Sequence, residues 1–209
     1  VTLTEIIDKH SPCAQSTIVT TVAYGSSPKG RPSAQTLEYA GNEIVAHPDL
    51  EVLTGLRAGR TETVWSNADL AAIFLNEPVE LDFQPLLLPT SEVQVGDAIT
   101  MAGFGTGEAY LLYGHRRYGD NKVTRVFTLE TGSVVFRAEE QRRADGTAAS
   151  HTGTGDSGGA CVKQSAPGVL VGIVSIGAQT RDGGRMSVFT SIFSHRAWLE
   201  QALQRANDS

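Results

Sequence analysis

Between Thr17 and Thr190 one local pattern recurs: a short run of apolar and β-branched residues, then glycine, proline or a polar turn. Extended chain suits it best, because branched side chains pack on a pleated surface and glycine or proline ends each run. Thr17 to Tyr24 reads as a strand stopped at Gly25, and the stretch from Ser26 to Ser33, with Pro28, Gly30 and Pro32, as a loop. Glu43–Ala46, Asp69–Leu75, Ala98–Phe104, Val123–Leu129, Ser133–Phe136, Gly168–Ile176 and Met186–Thr190 are the further strands expected. Residues 82–95 carry Pro85 and Pro89 and read as an extended connection between two β units. The rhythm breaks once. From Ser194, the expected N-cap, Trp198, Leu199, Ala202 and Leu203 share one face at helical spacing.

At 209 residues the chain can bury the core of one large or two small domains. A net charge of −6 without a Lys/Arg cluster argues against a nucleic-acid partner. No apolar run is long enough to span a membrane as a helix. The chain also opens without a basic-then-apolar segment, so an export signal is expected to have been removed or never to have existed. Cys13 and Cys161 could form one disulfide, but a buried free thiol is the simpler expectation for Cys161, which sits in an apolar stretch. No zinc-like Cys/His spacing occurs, and neither a metal nor another cofactor is expected.

Gly155-Asp156-Ser157-Gly158-Gly159 carries the chemistry. Its glycines permit a tight turn around a serine hydroxyl and a close substrate approach. Such a turn can aim successive N–H groups at one point, as a developing oxyanion requires. A carboxylate directly before the serine opposes that task unless something neutralises it.

This run resembles the nucleophile loop of the trypsin/chymotrypsin-like serine peptidases. The likeness continues in family order from Val45. Val45-Ala46-His47-Pro48-Asp49 is similar to the family's His-Pro segment, and Asn67-Ala68-Asp69-Leu70-Ala71 to its aspartate motif. Phe83 to Pro89 resembles the interdomain linker, and Met101 to Gly105 the opening strand of the second barrel. Val174-Ser175-Ile176-Gly177 is similar to the substrate-binding strand, and Val188-Phe189-Thr190 with Trp198-Leu199 to the last strand and helix.

The resemblance implies an all-β chain of two antiparallel barrels, residues 1–90 and 91–209, closed by a C-terminal helix. Six strands closing a first barrel do not fit comfortably before the linker, so the sequence is expected to be either a processed or truncated product or a divergent member with an incomplete first barrel. Ser157 would attack a peptide carbonyl, Asp69 would orient a histidine, and the N–H groups of Gly155 and Ser157 would receive the oxyanion. Asp156 would pair with a freed N-terminal ammonium. A peptide or protein substrate, a protein inhibitor, and a secreted or otherwise extracytoplasmic setting follow from the same likeness.

Asp69 precedes Ser157 by roughly 88 residues, against about 93 in the chymotrypsin order. The histidine departs from the pattern. Where the family places it after an apolar-Thr strand end, this chain has Ile7, and His10 follows three residues on. Either His10 is the base, brought in by a rearranged loop, or the base is absent and the chain binds a protein through the former cleft. His115 and His195 are expected at the surface. At the base of the specificity pocket stands His151, where a histidine donor would favour an acidic side chain. Thr152, Ser175 and Gly177 would line the rest, with Ser187 near the far wall.

Overall fold

Antiparallel ladders carry most of the computed structural model, which describes residues 2–4, 17–26, 32–57, 60–79, 85–106, 116–142, 144–180 and 182–208. In the N-terminal part, β1 (Thr2–Thr4), β2 (Thr17–Ser26), β3 (Pro32–Ala46) and β6 (Ala71–Leu75) form a sheet of order β1-β6-β3-β2. Between β3 and β6 a separate hairpin is built from β4 (Glu51–Arg57) and β5 (Arg60–Asn67). Six strands thus precede the linker, against the expectation that six would not fit comfortably there; β2 with β3 and β4 with β5 each use a compact hairpin, and among the described residues the six lie in two sheets.

The remaining strands are β7 (Ala98–Gly103), β8 (Arg117–Lys122), β9 (Arg125–Thr128), β10 (Val134–Glu139), β11 (Ala160–Lys163), β12 (Leu170–Gln179) and β13 (Arg185–Ser191). They form one seven-stranded sheet in the order β8-β7-β11-β12-β13-β10-β9. Its ends curl toward each other: the Asn121 amide on β8 donates to the Glu139 carbonyl of β10 over 3.2 Å. A 3-10 turn, Phe193–His195, leads into helix α1 (Arg196–Asn207).

Several expectations need correction. The strand expected at Glu43–Ala46 begins at Pro32, because β2 and β3 pair along their whole shared length, from Thr17 with Gly41 to Ser26 with Pro32. Much of the polar run Gly55–Ser66 is hairpin, where two strands satisfy each other's backbone without needing an apolar face. The charged β8 was missed because an edge strand tolerates polar residues, which also guard it against pairing with another chain. Ser194 is not the N-cap. His195 occupies that position without a side-chain cap, and Ser194 Oγ donates instead to the Ser191 carbonyl at 3.2 Å. Leu199 is the buried anchor of α1, while Leu203 faces outward.

One core cluster lies within the second sheet and contains Ile99, Met101, Phe136, Cys161, Val174 and Phe189. Cys161 is a free, fully buried thiol whose pKa burial raises, and Cys13 lies outside the described residues. The rings of Phe136 and Phe189, paired across β10 and β13, stack at 4.9 Å. Gly172 on β12 supplies the space for them: a Cβ there would stand 2.5 Å from Phe136 Cζ. Gly172→Ala is therefore expected to destabilise the fold by about 2 kcal/mol through overpacking, read as a lower urea midpoint at unchanged slope.

A second cluster joins the two parts of the chain. Leu70, from the entry to β6, packs with Leu170 and Ile173 of β12, Ile192 and Leu199. The helix adds further ties, since Arg205 pairs with Glu43 and lies over the Phe74 ring, while Arg196 donates to the Pro89 carbonyl at 2.7 Å. Thus the C-terminal helix grips the N-terminal sheet, and the residue beside Asp69 is fixed against the strand that bears Ser175.

Candidate active site

Ser157 is exposed on a tight turn. The Asp156 N–H donates to the Gly153 carbonyl over 3.1 Å, and Gly155, third of the four turn residues, has φ +87°. A type II turn demands that left-handed conformation at its third position, and glycine adopts it without strain. Among the described residues no acceptor takes the N–H of Gly155 or of Ser157. The carboxylate before the serine is turned into the backbone: Asp156 accepts from Gly105 N at 2.7 Å through Oδ1 and from Gly153 N at 2.8 Å through Oδ2. These two peptide dipoles offset its charge. Val1, whose amine would have to serve as the expected ammonium partner, lies outside the described residues.

The loop is held against β12. Gly158 N donates to the Val174 carbonyl and Val174 N to the Gly159 carbonyl, each at 2.9 Å. The next residue, Ser175, falls in a bulge, where the β12–β13 register shifts between Val174 and Ile176. A bulge re-aims the side chain it carries. Here the buried Ser175 hydroxyl donates to Asp69 Oδ2 at 2.7 Å. With its one proton committed, Ser175 Oγ must accept from Ser66 Oγ, 2.8 Å away. The result is a chain of Ser66, Ser175 and Asp69 across the two sheets.

Asp69 is 1% exposed. Ala68 before it adopts φ +48°, and Leu70 N bonds back to the Ala68 carbonyl at 2.8 Å, closing a three-residue turn around the aspartate. A left-handed alanine costs roughly 1 kcal/mol, which the burial of Leu70 offsets. Asn67 braces this corner by donating to the Asp49 carbonyl at 2.8 Å and accepting from Thr131 Oγ1 at 2.6 Å. In the sequence reading Asn67 figures only as a motif member, and Ser66 does not stand out. A buried structural role for either has no local signature.

His10 and His115 lie outside the described residues. His195, expected at the surface, is buried at 6% exposure, because the helix folds over the first sheet and carries it inward. Its Nε2 is 2.9 Å from Ser133 Oγ and its Nδ1 3.2 Å from Nε2 of the equally buried His47. Trp198 covers His47 with ring centroids 4.8 Å apart. This serine–histidine pair is buried, with Ser133 at 5% and His195 at 6% exposure, and involves neither Ser157 nor Asp69.

Near the turn, Thr152 N and Oγ1 meet Ser187 Oγ at 2.8 and 3.0 Å, which fixes residues 151–153 against β13. Gly177 pairs with Ser187 across β12 and β13, and a Cβ on it would meet the Thr152 carbonyl oxygen at 3.6 Å. His151 and Thr152 therefore share a small polar neighbourhood with Gly177 and Ser187. The neighbour that sequence reading missed is Arg185, whose guanidinium reaches His151 Nε2 at 2.9 Å.

The family model named Trypsin matches residues 11–199. The chain belongs to the trypsin family. Within that family it is 31% identical over 147 residues to "Phenoloxidase-activating factor 1" of Holotrichia diomphalia, an alignment covering 63% of this chain and 39% of that protein. The chain thus spans about two fifths of this curated relative's length. In fold it is similar to neuropsin, a serine protease expressed in the limbic system of mouse brain, with a TM-score of 0.57 at 18% identity over 80% of this chain and 73% of that one. This trypsin-family chain therefore combines the expected β character and terminal helix with a tight glycine turn at Ser157 and a buried aspartate.

Proposed function

We propose that the chain is a serine endopeptidase hydrolysing peptide bonds in a cleft between two β units, residues 1–90 and 91–209. Ser157 is the nucleophile, Asp69 orients the imidazole of His10, and the N–H groups of Gly155 and Ser157 receive the oxyanion. The observation that carries this reading is the left-handed Gly155 turn, which keeps both N–H groups unconsumed beside an exposed serine. The hydroxyl chain behind Asp69 supports it further: one oxygen of the carboxylate is held, so the group has a defined orientation toward a base. We infer a protein substrate and an extracytoplasmic setting from family membership.

Ile7 at the family's histidine position favours a second reading, a non-catalytic homologue that binds a protein through the same cleft. A fluorophosphonate probe separates them. The unmodified chain is expected to label, with labelling lost in Ser157→Ala and in His10→Ala. An unmodified chain that folds but does not label rules out the peptidase reading, and labelling that survives His10→Ala removes His10 as the base.

A further inference from the structure

The hydrogen bonds around His151 reverse the role that its sequence position suggests. A carbonyl oxygen only accepts, so the 3.1 Å contact of His151 Nδ1 with the Thr152 carbonyl places the ring proton on Nδ1. A guanidinium only donates, so at 2.9 Å Arg185 Nη1 donates to His151 Nε2. The imidazole is thus neutral and both of its nitrogens are occupied. It has no donor left for a ligand.

The positive charge at this place belongs to Arg185. Its one bond to His151 uses a single N–H of the five on the guanidinium, which leaves the fork able to hold a carboxylate through two parallel bonds. No carboxylate among the described residues forms an ion pair with it. Glu140, the nearest acidic group in hydrogen-bond terms, reaches the Arg185 main-chain N–H at 3.3 Å rather than the guanidinium. On β12 the residue paired with Arg185 is Gln179, and Gly177 pairs with Ser187, which in turn holds Thr152; all four are uncharged. Arg185 is itself exposed, so a ligand can reach it.

We propose that Arg185, braced by His151, is a specificity-determining residue that selects an acidic side chain in the ligand bound at this cleft. The inference rests on the cleft reading given above but not on turnover, since a non-catalytic homologue would use the same cation for binding.

The test compares peptides that are identical except for one Glu, Gln or Lys at the side chain entering the pocket. Binding of the fluorescein-labelled peptides to the full chain is followed by anisotropy, and cleavage of quenched versions is followed in parallel. The Glu peptide is expected to bind at least about tenfold more tightly than its Gln isostere. Arg185→Glu should abolish that preference and shift it toward Lys, with unchanged circular dichroism and melting temperature. Equal binding of Glu and Gln, or a Glu preference that survives Arg185→Glu, overturns the proposal. Discrimination in binding without cleavage keeps the Arg185 assignment and removes only the peptidase reading.

Discussion

Asp69→Asn is expected to slow peptide hydrolysis about ten-thousand-fold while the chain stays folded, on the peptidase reading proposed above. Asp69 Oδ2 accepts a hydrogen bond from the Ser175 hydroxyl, so the carboxylate has one fixed oxygen, and on that reading its negative charge serves the base. An amide at this position has nearly the same shape, so the packing of Leu70 and the turn at Ala68 persist. It removes the charge that stabilises an imidazolium, and it can present an N–H where the ring needs an acceptor, which favours the unproductive tautomer. The loss should fall on kcat with KM little changed, since Asp69 is buried and not open to contact by a peptide. A loss below tenfold in a folded variant would remove Asp69 from the catalytic role.

Acid should weaken the seam between the C-terminal helix and the first sheet. Burial first and the positive potential of His47 second lower the pKa of His195 to about 4, with Asp49 acting in the opposite sense. The free imidazole titrates near 6.5, so between about pH 6.5 and 4 the unfolded chain binds a proton that the folded chain refuses. The stability held by the neutral ring is complete above about pH 6.5 and is lost as pH falls toward 4. The full loss is up to about 3 kcal/mol. Urea unfolding at pH 7.5 and pH 5 should show it as a drop in midpoint. His195→Gln, which can still bond Ser133, should flatten that part of the profile relative to the unmodified chain. Parallel profiles for the two proteins would show that His195 does not carry this dependence.

Both predictions concern groups whose roles were unevenly legible in the sequence. Strand positions were readable where a strand has one face in a core, as in β6, β7, β12 and β13, because burial imposes alternation or an apolar run. The β4–β5 hairpin and the edge strand β8 were not, because pairing alone holds their backbone and leaves their side chains polar. Ser157, Gly155 and Asp69 stood out through their immediate neighbours. Ser66, Asn67, Arg185 and the His47–His195 contact did not, since each gains its meaning from a residue far along the chain. Arg185 lies 34 positions from His151, and His195 lies 148 from His47.

The sequence by itself determined the β character, the terminal helix and the nucleophile-type turn. All three follow from local rules: branched residues favour extended chain, helical spacing gathers one apolar face, and only glycine takes the left-handed turn without strain. The tertiary structure alone decided which polar groups are buried and which cation lies against His151. Burial and proton placement depend on what another strand or helix brings within about 3 Å. A histidine can therefore read as a surface residue or a ligand donor in sequence and become, once packed, a buried partner or a neutral brace for an arginine.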